Sequence, residues 1–547
     1  MTTSAPVEPV LDADEIQGNV VPGFLKPHMA LVALAIDDVA AAKRWLGDVA
    51  DQLTTLRVAM VSREKVRAHR GFRAEKRLAT LGEIPDGVDD AWVNLAVSRG
   101  ALDRLLHGGR HAPAVAQFAD AGFQHGLAAR SSLLGDPVDS AADGNPRNWV
   151  IGGPDNEADV LLVFGADRAE ECVRILEEIR EAAVASGLRL LYEERGAKLD
   201  DIGSEHFGFQ DGVSQPGVRG RYDDTPASFV TPHTIDPEDT PDAWLYGLPG
   251  QYLVWPGEFV FGYPKSAADP LMPGAINLPG PAWCRNGSYL VFRRLRQDVP
   301  AFRTFVEEQT RALNGEPGEP GEPGFAGVST DWVGSRIVGR WKSGAPVSRV
   351  PDADDVNLGI DRYSNNDFGY AAPAKAPPLA SGHAPDSYPE APADPIGLTC
   401  PMGAHIRKVN TRETPNDLGG RRASFARRIL RRALPFGPPL PDPPASDPAL
   451  GDRGLLFVSY QASIADQFEF LCNSWMGSAT NPRSPGGFDL FIGEDGAPGA
   501  GRERHATIFG QGAATATLTT TTDWVVPTGG GYFFSPSISA LREVLAA

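Results

Sequence analysis

DVLLVFGADRAEECVRILEEIREAAV (159–184) decides the fold class, because a short apolar strand runs straight into an amphipathic helix. Residues 159–166 are almost wholly apolar. Beyond them apolar residues recur at three- and four-residue intervals, Val173, Leu176 and Ile179 among them, as on one face of a helix. The unit returns three times. ALVALAID (30–37) leads into DVAAAKRWLGDVADQL, SYLVFRRLR (288–296) into QDVPAFRTFVEEQTRAL, and GLLFVSYQ (454–461) into ASIADQFEFLCNSWM. WVNLAVS (92–98) and GEFVFGYP (257–264) read as further strands. Two strand–helix units in each half predict an α+β protein of two similar modules, each an antiparallel sheet with helices on one face. The polar, proline-rich stretch TPASFVTPHTIDPEDTPDAW separates them, giving expected units of 1–235 and 236–547.

The length of 547 residues exceeds what one core serves, and 42% apolar residues suffice for two. A net charge of −19 repels nucleic acid and anionic lipid, so the expected partner is a small molecule. Cys172, Cys284, Cys400 and Cys472 are scattered without a CxxC pair. That pattern excludes a disulfide framework and a cysteine-based zinc site, and it fits a reducing cytoplasm. The first twenty residues lack a basic start, an apolar run and a twin-arginine pair, and no apolar run is long enough for a bilayer. Cytoplasmic localisation without membrane association is expected. GEPGEPGEPG (315–324), AAPAKAPPLASGHAPDSYPEAPADP (371–395) and GPPLPDPPASDPAL (437–450) read as loop insertions, the first too short for a collagen helix.

Three segments carry candidate chemistry. In EHFGFQDGVSQPGVRG (205–220) Asp211 lies among glycines, where it either aims into a cavity or closes an Asx-turn. In CPMGAHIRKVNTRE (400–413) His405 sits in an apolar setting before Arg407, Lys408 and Arg412. Such a histidine is either a packed residue or a metal ligand, with Cys400 as a weaker thiolate alternative. Zinc is disfavoured, since HExxH and a second histidine at i+3 to i+5 are missing. FARRILRRALPFGPP (425–439) reads as a cationic amphipathic helix ended by Pro435 and Gly437, either a solvated face or the source of one inward arginine that clamps an anion.

Taken together and in this order, the three segments resemble the dye-decolorizing peroxidases. GFQDG matches the family's GxxDG motif, CPMGAHIRK looks like its proximal-histidine segment, and ILRRALPFG looks like the segment of its distal arginine. DEIQGNVVPGFLKPHMALVALAIDD and NGSYLVFRRLRQD also look like family framework, so the resemblance spans about 14 to 535. The length resembles the larger bacterial and fungal branches.

The resemblance implies a haem peroxidase that reduces hydrogen peroxide and oxidises dyes, phenols and lignin-like aromatics through a ferryl intermediate. It implies two ferredoxin-like modules of the dimeric α/β-barrel type, with one haem b per chain held mainly by the C-terminal one and GxxDG carried by the N-terminal one. His405 is then the iron ligand, Asp211 and Arg431 handle peroxide, and Leu455 and Phe457 line the distal side. Arg407 and Arg412 are expected to pair with haem propionates. Where some members carry asparagine two residues after the distal arginine, this chain has Ala433, which leaves that polar group in doubt. A ligating histidine needs an acceptor for its second ring nitrogen. Asp489, in an otherwise uncharged run and placed like the family's acidic partner, is expected there, ahead of Asp466 and Glu469. Two other readings remain: a haem-handling protein of the same fold, and a cofactor-free binding module. An oligomer is compatible with all of them, and SISALREVLAA shows no encapsulation tail.

Overall fold

The change from strand to helix happens where the side-chain period changes. In the computed structural model, which describes residues 6–23, 26–75, 90–236, 243–315, 320–373, 388–419, 421–440, 452–484, 486–494 and 502–547, β1 (His28–Ile36) feeds α1 (Val39–Ala50). Asp38 caps α1 by accepting from the Ala41 amide at 3.0 Å. β2 (Ala91–Ser98) precedes α2 (Arg99–Leu106), and β3 (Val160–Ala166) feeds α3 (Ala169–Ala185), which returns through β4 (Leu188–Ala197). In the second half β5 (Ser288–Gln297) feeds α4 (Val299–Asn314), capped by Asp298. Then come α5 (His405–Val409), β6 (Leu430–Arg431), β7 (Leu434–Phe436), β8 (Gly454–Gln461) and β9 (Val525–Ser535). The helix expected after β8 winds in wide π turns, Ile464–Glu469 and Leu471–Met476.

The strands form one large antiparallel sheet in the order β6-β8-β7-β4-β1-β3-β2-β9-β5, and β8 also pairs with β5. The ladder therefore returns on itself. Two thin seams join the halves: Phe533–Ser98 and Phe534–Val97 between β9 and β2, and Phe436–Gly196 between β7 and β4. At Gly196 a Cβ would stand 2.8 Å from the Pro435 carbonyl, so the second seam needs glycine.

Alternation sorts the side chains. Leu31, Ala33, Leu161, Val163, Phe292, Leu456 and Val458 meet in one core on the inner face. On the outer face of the first half, Val32, Leu34, Val160 and Leu162 pack under Trp45 and Leu46 of α1 and Leu176 and Ile179 of α3. In the second half the outer face of β5 and β8 instead borders a cavity. Among the described residues no helix is long and apolar enough to cross a membrane.

Two expected elements differ. GEFVFGYP is not one strand. Pro256–Glu258 makes a tight turn, Phe259, Val260 and Phe261 are all buried, and pairing starts only at Tyr263. Three consecutive buried side chains cannot belong to a strand with one solvated face. The expected cationic helix over 425–439 does not form either. A short helix ends at Phe425, and Leu430–Arg431 and Leu434–Phe436 pair with β8. Arg427, Arg428, Arg431 and Arg432 mimic one helical face, but strand alternation sends Arg431 and Arg432 opposite ways. Arg432 donates to the carbonyls of Asn19, Val20 and Pro22, while Arg431 turns to the cavity. Residues 316–319, 374–387 and 441–450 of the expected loop insertions lie outside the described residues.

Candidate active site

The cavity is bordered by β5, β6 and β8, the Asp211 turn and α5. Leu455 and Phe457 of β8 line it, since Leu456 and Val458, which alternate with them, point into the core.

Asp211 arrives on a tight turn. Gly208 and Gly212 adopt φ of 96° and 78°, conformations that glycine takes without strain. Buried Phe207 and Phe209 anchor the turn against Phe302 of α4, with ring centroids 4.8 and 6.4 Å away. The Gln210 amide donates to the Lys342 carbonyl at 3.0 Å, and the Asp211 amide to the Gly203 carbonyl at 3.0 Å. Asp211 accepts from its neighbour, the Gly212 amide, at 2.6 Å. Its Oδ1 also accepts from Arg431 Nη1 at 2.9 Å, and Arg431 Nη2 donates to the Ser214 carbonyl at 3.2 Å. Both side chains retain about a quarter of their exposure, 28% and 26%, which leaves this pair open to a small ligand.

His405 opens α5 and borders the same cavity. Its Nδ1 lies 2.7 Å from Asp489 Oδ2. Asp489 is fully buried, and its Oδ1 accepts from the Phe491 and Ile492 amides at 3.0 and 3.3 Å. A carboxylate so placed is an acceptor, which puts the proton on Nδ1 and leaves Nε2 with a free lone pair. The alternative carboxylates are engaged elsewhere, Asp466 with Arg427 and Glu469 with Arg130. Cys400 is buried beside the Tyr370 hydroxyl and does not border the cavity.

The arginines sort differently from the sequence expectation. Arg407 does not border the cavity. It is buried against Asp394 at 3.0 Å and over the Tyr370 ring at 4.0 Å. It follows the helix-opening histidine by two positions and so projects from another side of the turn. Arg412 also stands back from the cavity, 3.6 Å over Phe368 and bonded to Asn366 Oδ1 at 2.7 Å. The arginines that do border it are Arg340 and Arg428, with Arg293, Arg427 and Arg431. Arg340 is bonded to carbonyls of Gly344 and Asn365 and to Asn366 Oδ1, and Arg428 to Asn410 Oδ1. Among the described residues the partners of these two and of Arg412 are carbonyls, a hydroxyl and amide oxygens rather than carboxylates, and the buried Nε of Arg428 has no partner. Burial, then Arg412, lowers the pKa of Arg340 to about 9 and of Arg428 to about 10, the mark of cations without an anion.

Sequence reasoning missed Arg340, Arg428, Gln297 and Glu205. Arg340 lies in an unremarked segment, VGRWKSG, and Arg428 was hidden in the supposed helix. Glu205 was legible only as a carboxylate six residues before Asp211.

Among the described residues no group of three or more His, Cys, Asp and Glu could hold a metal ion. The one available imidazole, the apolar walls of Leu455, Phe457, Ile406 and Val409, and the unneutralised arginines fit a cofactor that brings its own nitrogen ligands and two carboxylates, as haem does.

A family model described as Dyp-type peroxidase, C-terminal, matches residues 337–483. Dye-decolorizing peroxidase msp1 of Mycetinis scorodonius is 30% identical over 98% of this chain and 88% of its own length. An ancestral D-type dye-decolorizing peroxidase structure superposes with a TM-score of 0.70 at 28% identity, over 99% of this chain and all of that one. The structure of a dye-decolorizing peroxidase in complex with 2,6-dimethoxyphenol gives 0.68 at 26% identity, over 98% and 100%.

Proposed function

Because this chain belongs to the dye-decolorizing peroxidases, haem enzymes that use hydrogen peroxide, we propose that it oxidises aromatic donors at one haem b held by His405. The observation that carries the reading is the shared cavity, which puts an imidazole with a free Nε2 and an Asp–Arg pair around one space. When bound, the haem supplies the iron at which the peroxide O–O bond breaks.

The chain's own residues supply the rest. Asp489 holds the His405 ring in one tautomer and makes it more electron-donating. Asp211 takes the proton from the near oxygen of peroxide and returns it to the far one, so that the leaving oxygen departs as water. Arg431 holds the hydroperoxide with its guanidinium and stabilises the charge on the leaving oxygen. Arg340 and Arg428, backed by Arg412, take the two propionates. Leu455 and Phe457 keep the distal side apolar.

The strand order supports two ferredoxin-like modules closed into one α/β barrel of the dimeric type. β4-β1-β3-β2 and β9-β5-β8-β6/β7 repeat one order, fourth-first-third-second, and the seams between them are short. Residues 1–235 and 236–547 are then the units. The first contributes the Asp211 turn and the second the haem ligand. The acidic chain with four free cysteines suits the cytoplasm.

The purified protein is expected to show a Soret band and to oxidise 2,6-dimethoxyphenol only when peroxide is present. A Soret band without turnover would favour haem handling, and a colourless protein that takes up no haem would overturn both readings. Replacing Asp489 by Asn is expected to raise the Fe(III)/Fe(II) potential and to lower the iron–histidine stretching frequency, with about a 10–100-fold loss of activity. Redox titration and resonance Raman spectra check this. Wild-type values in Asp489→Asn would separate Asp489 from the iron ligand.

A further inference from the structure

Glu205 is a buried carboxyl on the wall of the same cavity, at the start of the turn that ends in Asp211. Its Oε1 accepts from the Phe209 amide at 2.9 Å, and its Oε2 accepts from the Phe207 amide at 2.9 Å and from Gln297 Nε2. Its own backbone closes the turn as well, since the Glu205 amide donates to the Phe209 carbonyl and the Gly208 amide to the Glu205 carbonyl. Gln297 is the last residue of β5, so this side chain ties the Asp211 turn to the strand wall. The Oε1 of Gln297 is buried with no partner.

We propose that Glu205 positions Asp211 by clamping its turn to β5, and that the clamp is a proton switch. Ionised, Glu205 accepts from two loop amides and from the Gln297 amide. Protonated, it has a hydrogen to give, and the orphan Gln297 Oε1 receives it once the amide turns over. The charged groups around it are few. Asp211 faces it from its own turn. β5 presents neutral Gln297 and, farther along, Arg293, which is committed to Asp136 at 2.8 Å. α4 presents Phe302 to the turn. Burial, opposed by the hydrogen bonds from Phe207, Phe209 and Gln297 and reinforced by Asp211, pushes the Glu205 carboxyl up to about 7. The switch thus works around neutral pH, where the ionised clamp sets a second negative charge beside Asp211 and the protonated one removes it.

This inference rests on the role proposed above for Asp211, and the test separates the two. The wild-type rate of reaction with peroxide is expected to show an inflection near pH 7 that Glu205→Gln lacks. Folding stability gives a readout without turnover. The folded state holds this proton more tightly than the unfolded chain does, so the group's contribution is full below pH 4.5 and is lost as pH rises to about 7. Glu205→Gln should therefore lose less Tm than the wild type across that window. If Glu205→Gln fails to fold, Gln297→Leu removes the donor from the β5 side and should move the inflection to higher pH. A wild-type inflection and Tm slope in Glu205→Gln, or an unmoved inflection in Gln297→Leu, overturns the clamp. If Asp211→Asn reacts at the wild-type rate, the Asp211 reading itself fails instead.

Discussion

Arg431→Leu is expected to react with hydrogen peroxide about 10²–10³-fold more slowly than the wild type. The loss comes from charge, because leucine still fills the space at the cavity wall but cannot meet the negative charge that develops as the O–O bond breaks. Arg431 is preorganised for that task. Its strand register against Ser459 fixes the direction of the side chain, and Asp211 and the Ser214 carbonyl hold the guanidinium from one side. Nothing has to reorganise when peroxide enters, which is why one such donor matters so much. Asp211→Asn keeps the shape and the acceptor oxygen but binds the peroxide proton poorly, and it too is expected to be slow. The arginine loss should be at least as large if charge stabilisation dominates. Stopped-flow mixing with peroxide measures both. Since each side chain keeps about a quarter of its exposure, water replaces the lost partner and the variants should remain folded. Wild-type rates in both variants would remove the Asp–Arg pair from the mechanism.

His405→Ala is expected to purify with little or no haem. The cavity arginines and the apolar walls remain, but they would bind an outline that other planar anions share, whereas the bond to iron is the one proposed for the histidine. The variant also leaves Asp489 buried without its imidazole. Because the Phe491 and Ile492 amides still serve Oδ1, the expected cost is that of one lost partner, about 1–3 kcal/mol, and a folded apoprotein should result. The absorption spectrum decides the matter. A full Soret band with unchanged ligation would assign the iron to another residue.

How much of this was legible beforehand differs by element. The strand–helix units were, since a run such as 159–166 buried on both faces and the helix after it announce themselves by local period alone. The 425–439 segment was not. Four arginines spaced as on a helical face carry the same local signal whether or not a partner strand exists, and the pairing with β8 overrode it. The same limit explains Arg407, which sits two residues from His405 in the chain yet belongs to Asp394 and Tyr370.

By itself, then, the sequence determined the α+β class, the order of the strand–helix units and the three segments around Asp211, His405 and Arg431, because each is written within a dozen or so neighbouring residues. Only the tertiary structure decided that Asp489, 84 residues away, faces His405, that Asp211 meets Arg431 across 220 residues, and that Arg340 and Arg428 rather than Arg407 border the cavity. Those are contacts between distant segments, and a hydrogen bond or an unpaired charge exists only once the folded sheet has fixed which side chains share a space that water has left.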